Sequence, residues 1–306
     1  MSGPRIRILG TGALASLVGA RLARAGVRVL LVGSWREGLE AISRRGIQVE
    51  EDGSSWSTPV RAAPLIWTPE EADVVLVLVK SPQTREVAPF AARALGPGGF
   101  VVTLQNGLGN AAILATHARE VVQGVTTLGA TLLAPGRIRA EKGSLLLAPS
   151  RGSEALAATL RGAAFDAQVS PEIDTAVWRK LAVNCAINPL SAVLGLPNGA
   201  LLDSPSAREQ LFEAAREVGR VAEARGTPLG TDAAALAEEA ARRTSGNRSS
   251  MLQDMDRGAP TEIDALNGAL VREGERLHIP TPVNLALMRA VRAREAALGR
   301  RQSAPA

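Results

Sequence analysis

Lys180 is one of only three lysines in a chain of 306 residues that has 35 basic residues, the others being Lys80 and Lys142. Arginine serves as well as lysine on a surface, but its pKa above ~12 prevents it from releasing a proton near neutral pH. A lysine that is kept where arginine is used almost everywhere else indicates a need for a titratable ammonium. The chemistry that this predicts is proton donation.

Two asparagines follow Lys180 at regular spacing. Lys180, Asn184 and Asn188 are separated by four residues each, which places them on one face of a helix. The rest of Trp178–Pro189 is mostly apolar, and polar groups on such a helix need partners when they are buried. The row predicts the wall of a cleft, although it is also compatible with the wet side of an amphipathic helix.

The overall composition excludes several classes of protein. A single cysteine, Cys185, excludes an internal disulfide and a cysteine-based metal cluster, and with two histidines we expect no metal site. The net charge is +5, but the arginines are dispersed and there are only four Phe, four Trp and no Tyr, which disfavours a nucleic-acid partner. We expect a positive field that favours small anions. No apolar stretch approaches the ~18 residues of a membrane span, and we expect a cytoplasmic protein.

The order of elements changes once along the chain. Strands and helices alternate up to about residue 170, which is the pattern of a doubly wound parallel sheet. The predicted strands include Arg5–Leu9, Val74–Val79 and Phe100–Leu104, with further extended segments at 47–60 and 129–144. Beyond Ser170-Pro171 the pattern is almost entirely helical, with helices expected at 171–187, 206–225, 233–242, 250–255, 262–277 and 282–298. We therefore predict an α/β fold with a Rossmann-type domain at 1–170 and an all-helical domain at 171–306.

A glycine-rich turn joins the first strand to the first helix. Its residues are Gly10, Thr11, Gly12, Ala13, Leu14 and Ala15, a G-x-G-x-x-A sequence. In this position the glycines allow backbone to approach a pyrophosphate, and the helix N-terminus favours the anion. The turn predicts a dinucleotide site.

The end of the second strand bears on the choice of dinucleotide. Proteins that bind NAD usually carry Asp or Glu there, but Leu31–Arg36 contains no acid. Ser34 and Arg36 are suited to a 2′-phosphate, so we predict NADP(H). The alternative is that Arg36 is only a surface residue of the next helix.

Two further polar residues follow predicted parallel strands. Lys80 ends the strand at Val74–Val79, and Asn106 follows Phe100–Leu104 in Gln105-Asn106-Gly107. Ligands in this architecture bind at the carboxyl ends of strands, so both residues are candidates for the site. Asn106 is also explained as a simple turn residue before Gly107.

The helical half contains two candidate helix starts. Ser250 with Gln253 forms a capping box, and a helix N-terminus that carries hydroxyls can also receive a carboxylate. Glu262, in Thr261-Glu262-Ile263-Asp264, opens the other helix, where an acid is also favourable for the helix dipole alone.

At this point the chain resembles the ketopantoate reductase family. The resemblance runs from residue 5 to about residue 290. It is sharpest in 10–15, 105–107, 178–189, 197–199 and 249–268, above all in the combination of Lys180, Asn184 and Asn188 with Ser250 and Glu262. It implies an NADP-dependent oxidoreductase that reduces 2-dehydropantoate (ketopantoate) to pantoate, on the route to pantothenate and coenzyme A.

The resemblance also implies roles for individual residues. Lys180 is similar to the general acid of the family, and Lys80 and Asn106 are similar to residues near the nicotinamide and the reacting centre. Substrate contacts are implied for Asn106, Asn184, Asn188, Asn198, Ser250 and Glu262. Ser34 departs from the pattern, because some members have an arginine there. As partners we expect a small anionic 2-oxo acid and a second copy of the chain in a homodimer.

Two other functions share this scaffold. A relative that reduces a different 2-oxo acid would have the same framework. A catalytically silent NADPH-binding regulator would not need Lys180, Asn184, Ser250 and Glu262 together, and those residues favour an enzyme.

Overall fold

The computed structural model describes residues 3–65 and 71–303, with side chains described up to residue 298. The strands are β1 (Arg5–Leu9), β2 (Arg28–Gly33), β3 (Ile47–Glu51), β4 (Ser54–Thr58), β5 (Arg61–Pro64), β6 (Ala72–Val77), β7 (Leu95–Thr103), β8 (Val121–Thr126), β9 (Gly129–Ala134), β10 (Arg137–Glu141), β11 (Ser144–Leu147) and β12 (Asp166–Val169). The helices are α1 (Ala13–Arg24), α2 (Arg36–Arg45), α3 (Thr84–Arg93), α4 (Asn110–Ala115), α5 (Ser153–Gly162), α6 (Ile173–Leu194), α7 (Pro205–Ala224), α8 (Ala233–Arg243), α9 (Ser250–Asp256), α10 (Asn267–Leu277) and α11 (Pro282–Ser303).

The chain folds into two compact units. Unit 1 contains the described residues of Met1–Gln105 and Asn110–Ile173, and unit 2 contains Asn106–Gly109 with the described residues of Asp174–Ala306. The short segment 106–109, which begins three residues after the end of β7 in unit 1, therefore packs with unit 2. The assignment of cofactor binding to 1–170 and of substrate binding to 171–306 stays a prediction.

Unit 1 is built on a sheet whose strand order is β12-β11-β8-β7-β6-β1-β2-β5. Its neighbouring strands are parallel except for β8 and β11, which are antiparallel. Strand β1 lies in the interior of the sheet, and the chain winds outward from it in both directions. The predicted doubly wound fold is confirmed.

The core of unit 1 explains why the strands are continuous apolar runs. Val74 and Leu76 of β6 pack into one cluster with α1 and α5, whereas Val75 and Val77 pack into a second cluster with α3 and α4. Successive side chains of a strand point to opposite faces, so a strand covered on both faces needs apolar residues at every position.

A smaller sheet has the order β4-β3-β10-β9. It contains the segments 47–60 and 129–144 that the sequence predicted to be extended. Helix α1 packs against its strands, and Trp56 of β4 holds the guanidinium of Arg24 over its ring at 4.4 Å. The sheet thus fixes the helix that opens at the glycine-rich turn.

Unit 2 contains α6 to α11 around one apolar core. Three predicted boundaries were wrong here, one of which is the end of α11, at Ser303 and not at residue 298. Helix α6 does not end at Ile187 but continues past Pro189 to Leu194, and the helix expected from Glu262 begins only at Asn267. Among the described residues, no helix is long and apolar enough to cross a membrane.

Candidate functional site

The glycine-rich turn has the geometry of a phosphate cradle. Gly10 has φ +132° and donates its N–H to the Val32 carbonyl at 2.8 Å, which ties the turn to β2. Gly12 caps α1 without any side-chain hydrogen bond, and the first turn of α1 carries no acidic residue. A Cβ at Gly12 would meet no atom within 4 Å. A helix start without a side-chain cap and with open space beside it fits a bound pyrophosphate.

The end of β2 is closed to an acidic side chain at position 33. A Cβ added to Gly33 would lie 2.9 Å from the side chain of Thr11, and Thr11 is itself buried. Ser34 is exposed, and Arg36 begins α2 with its side chain 89% exposed, paired with Glu40 at 2.9 Å. An exposed ion pair is worth at most ~1 kcal/mol, so the pairing leaves Arg36 available to a phosphate.

A buried polar network supports the carboxyl ends of β6 and β7. Gln105 Nε2 donates to the Val79 carbonyl and to Thr84 Oγ1, both at 2.8 Å, and Thr84 in turn donates to Asn110. Strand β6 ends at Val77, so Lys80 lies in the following loop and not in the strand as predicted. The loop that carries Lys80 is therefore held through the backbone of Val79. Sequence reasoning missed Gln105, although it stands next to Asn106 in the same motif.

Asn106 and Glu262 meet within unit 2. Asn106 Nδ2 donates to Glu262 Oε2 at 2.9 Å, across 156 residues of sequence. The neighbouring backbone comes equally close, because Leu108 N–H donates to the Ala265 carbonyl at 3.0 Å. Gly107, with φ +83°, allows this approach, since a Cβ there would lie 2.2 Å from the same carbonyl. The sequence placed both residues in the site, and the structure brings them together.

Lys180 lies in the middle of α6 and is partly buried. Burial lowers the pKa of its ammonium from 10.5 to about 8, although the Glu262 carboxylate acts in the opposite direction. A lysine with such a pKa exchanges its proton near neutral pH. This is the property that the scarcity of lysine in the sequence predicted.

Asn184 and Asn188 follow on α6 as the spacing predicted. Asn184 is partly buried and Asn188 is buried. The Asn188 backbone carbonyl accepts a hydrogen bond from Ser249 Oγ at 3.4 Å. The alternative of a wet helix face is therefore excluded for Asn188.

The predicted capping box was wrong by one residue. Ser249, not Ser250, caps α9, and its Oγ accepts from the Leu252 N–H at 3.1 Å. Gln253 donates to the Arg248 carbonyl. Ser250 is exposed and is the first residue inside the helix, because the cap bond is made by Ser249.

Asn198 lies before a 3-10 turn at Gly199–Leu202 and is buried. Its Nδ2 donates to Thr244 Oγ1 at 2.9 Å, and its backbone N–H donates to the Asn247 carbonyl at 2.9 Å. Within the described part of the chain, its Oδ1 is buried without a hydrogen-bond partner. Its side-chain nitrogen is thus hydrogen-bonded to the residue that follows α8.

Comparison with known families and sequences gives a consistent result. The model of the ketopantoate reductase PanE/ApbA family matches residues 6–151, and the model of its C-terminal domain matches residues 172–295. A 2-dehydropantoate 2-reductase of Archaeoglobus fulgidus is 38% identical over 303 residues, covering 96% of this chain and 99% of the relative. One of Halobacterium salinarum is 38% identical over 291 residues, covering 91% and 95%.

Solved structures agree in fold. A ketopantoate reductase of Ralstonia eutropha is 33% identical with a TM-score of 0.89, covering 96% of this chain and 99% of that one. A D-mandelate dehydrogenase with NADH and anilino(oxo)acetate is 26% identical with a TM-score of 0.91 and the same coverage. The predicted enzyme class, an NADP-dependent oxidoreductase that acts on a CH–OH group, is confirmed by these matches. The chain belongs to the ketopantoate reductase family.

Proposed function

We propose that the chain reduces 2-dehydropantoate to pantoate with NADPH, and that Lys180 is the proton donor. The observation that carries the proposal is the partly buried Lys180 ammonium with its pKa near 8, in the same unit as the hydrogen-bonded pair of Asn106 and Glu262. Reduction of a ketone needs a proton donor for the oxygen, and this unit provides one.

The chemistry balances with these groups. NADPH, when bound, supplies a hydride to the carbonyl carbon of the substrate. The electron pair of the C=O π bond moves to the oxygen, and Lys180 Nζ transfers one proton to that oxygen, which yields the secondary alcohol. Before transfer, the ammonium stabilises the negative charge that develops there. Neutral Lys180 then regains a proton from solvent.

Substrate recognition is proposed for polar groups of unit 2. Glu262, held by Asn106, accepts a hydrogen bond from the substrate hydroxyl. Asn184 and Asn188, on the same helix as Lys180, are proposed to contact the substrate. The exposed Ser250 hydroxyl receives the substrate carboxylate. Asn198 contributes its buried Oδ1 or supports the loop before the 3-10 turn.

Cofactor binding is proposed mainly for residues of unit 1. Backbone amides of Gly10–Ala15 hold the pyrophosphate at the start of α1, and Ser34 with Arg36 holds the 2′-phosphate. Lys80, in the loop fixed by Gln105, and Asn106 approach the nicotinamide. We further propose that residues 1–170 and 171–306 are the cofactor and substrate domains of a cytoplasmic homodimer.

A second candidate is the reduction of another 2-oxo acid. It is favoured by the likeness to D-mandelate dehydrogenase, whose structure contains NADH and anilino(oxo)acetate. Glu262 favours ketopantoate over acids without a hydroxyl, because a carboxylate that accepts a hydrogen bond from a substrate hydroxyl discriminates strongly against analogues that lack it.

The test is NADPH oxidation, followed by absorbance, against a panel of 2-oxo acids. The panel contains ketopantoate, its analogue without the 4-hydroxyl, pyruvate and phenylglyoxylate. The proposal expects the highest kcat/KM for ketopantoate. A higher value for phenylglyoxylate would establish the second candidate, and no oxidation with any acid would overturn both in favour of a non-catalytic NADPH-binding protein.

A further inference from the structure

Proline 189 leaves one carbonyl of α6 without its helical donor. In a helix the carbonyl of residue i−4 accepts from the N–H of residue i, and proline has no N–H. The carbonyl affected is that of Cys185, which is buried in the interior of unit 2. Asn267 Nδ2 donates to this carbonyl at 3.0 Å. A side chain from α10 therefore replaces the bond that Pro189 removes, at the point where α6 continues past Pro189 to Leu194.

The Asn267 amide is itself held by a buried network. Its Nδ2 also donates to Asn284 Oδ1 at 2.8 Å. Asn284 Nδ2 donates to the Ala214 carbonyl at 2.9 Å and to Glu217 Oε2 at 2.6 Å. Glu217, fully buried, accepts in addition from the N–H groups of Val283 and Asn284 at the start of α11. These bonds fix the direction in which Asn267 presents its donor.

Asn267 lies where the two proposed substrate-binding elements meet. It follows Glu262 by five residues, and the turn between them is closed by the Glu262 carbonyl, which accepts from Ala265 and Leu266 N–H at 3.0 Å each. The carbonyl that it contacts belongs to Cys185, next to Asn184 and five residues after Lys180. One hydrogen bond thus connects the turn of Glu262 to the helix of Lys180.

We propose that Asn267 is a positioning residue for the reduction: through the Cys185 carbonyl freed by Pro189, it fixes Lys180 and Asn184 of α6 relative to Glu262. The inference rests on the proposed function, because it concerns the same catalytic groups. A small displacement of such groups has a large effect on rate, since about 1 Å of misplacement costs ~10²-fold.

The experiment is a double-mutant cycle of Asn267→Ala and Pro189→Ala, measured as ketopantoate reduction. Asn267→Ala should lower kcat by ~10- to 100-fold and leave the KM for NADPH within about twofold. Pro189→Ala restores a backbone N–H at position 189, which can satisfy the Cys185 carbonyl within the helix. In the Pro189→Ala background, loss of Asn267 should cost no more than about threefold in kcat, because the two sites are coupled.

Leu270→Ala is the matched control, since Leu270 is a fully buried residue of the same helix α10 whose side chain has no donor for the Cys185 carbonyl. It should lower the melting temperature without a comparable loss of kcat. Equal kcat losses in Leu270→Ala and Asn267→Ala at equal melting temperature would overturn the proposal, as would kcat losses that multiply independently in the double variant.

If Asn267→Ala does not fold, the proposal requires that the double variant folds and is active. Wild-type protein inactive on ketopantoate would instead refute the proposed function.

Discussion

Lys180 can act in two ways, as a proton donor or as a fixed positive charge, and variants of this residue distinguish them. Lys180→Ala removes both, and we expect kcat to fall by ~10²–10⁴-fold, the usual contribution of a positioned general acid. The dissociation constant for NADPH, measured by fluorescence titration, should stay within about twofold of wild type, because its proposed phosphate contacts lie at Gly10–Ala15 in the other unit.

Lys180→Arg and the pH profile distinguish the two roles. The pKa of Lys180 is lowered to about 8, so its protonated fraction falls as pH rises through 8, and the reduction rate of wild type should fall with it. Arginine keeps its charge but releases no proton, so Lys180→Arg should be nearly as slow as Lys180→Ala and should lack this alkaline limb. Near-full kcat in Lys180→Arg would show that Lys180 only attracts an anion and that the proton comes from elsewhere.

Glu262 is expected to recognise the substrate hydroxyl. Glu262→Ala should lower kcat/KM for ketopantoate by ~10- to 100-fold, because a hydrogen bond to a charged group is worth ~1.5–3 kcal/mol. The loss on the analogue without the 4-hydroxyl should be several-fold smaller. Glu262→Gln is the matched control, since it keeps an oxygen for the Asn106 amide. If Glu262→Ala lowered kcat/KM equally for both substrates, Glu262 would only hold Asn106 in place and would not contact the substrate hydroxyl.

Arg36 is expected to recognise the 2′-phosphate of the cofactor. Wild type should prefer NADPH to NADH, and Arg36→Ala should lower kcat/KM for NADPH by ~10-fold with little change for NADH, since one charge-assisted contact is lost. Glu40→Ala removes the ion-pair partner of Arg36 and should leave the preference intact or raise it. Equal use of NADPH and NADH by wild type would make Arg36 a surface residue of α2 only.

At the scale of elements, the start of α9 offers two adjacent serines with separable roles. Ser249→Ala removes the cap of the helix and should lower the free energy of unfolding by ~1 kcal/mol. Ser250→Ala, on an exposed residue that does not cap, should leave stability unchanged and raise the KM for ketopantoate. Urea titration and steady-state kinetics measure the two effects. Loss of stability in Ser250→Ala, with an unchanged KM, would contradict the assignment of the substrate carboxylate to Ser250.

The elements that the sequence predicted best are those covered on both faces. Strand β6 reads as an unbroken apolar run because Val74 and Val75 pack into different cores, and its existence was predicted correctly although it spans Ala72–Val77 and not Val74–Val79. The element boundaries that failed depend on contacts from distant residues. Pro189 is a signal for helix termination, yet α6 continues past it, and the Cys185 carbonyl that Pro189 leaves without a donor is satisfied by the Asn267 side chain, 78 residues away in sequence. The prediction that α10 starts at Glu262 failed because residues 262–266 form a turn closed on the Glu262 carbonyl.

In the candidate site, too, the features that local sequence reveals were predicted, and the contacts between distant residues were not. Lys180 could be identified from the sequence because lysine is rare in this chain, and its two asparagines from helical spacing. The contact between Asn106 and Glu262 could not, because it joins a loop after β7 to a turn before α10. The role of Gln105 was hidden for a related reason: its partner Val79 lies in the loop after β6, and its partner Thr84 lies at the start of α3.

At the scale of the whole molecule, the net charge of +5 is what remains after extensive surface pairing. Arg248 pairs with Asp256, Arg276 with Glu273 and Arg208 with Glu238. Paired charges of this kind contribute little to a field at long range. The excess positive charge is therefore available to attract the anionic substrate and the anionic cofactor.

This excess predicts a dependence of substrate capture on ionic strength. Between ~20 and ~300 mM NaCl the Debye length falls from roughly 20 Å to below 10 Å, so kcat/KM for ketopantoate should fall several-fold as attraction of the anion is screened. The value of kcat should change little, because the bound substrate contacts its partners directly. Sucrose at matched osmolality is the control, since it does not screen charge. A kcat/KM that is independent of salt would mean that the excess arginines do not steer the substrate and that capture depends on the local groups of unit 2 alone.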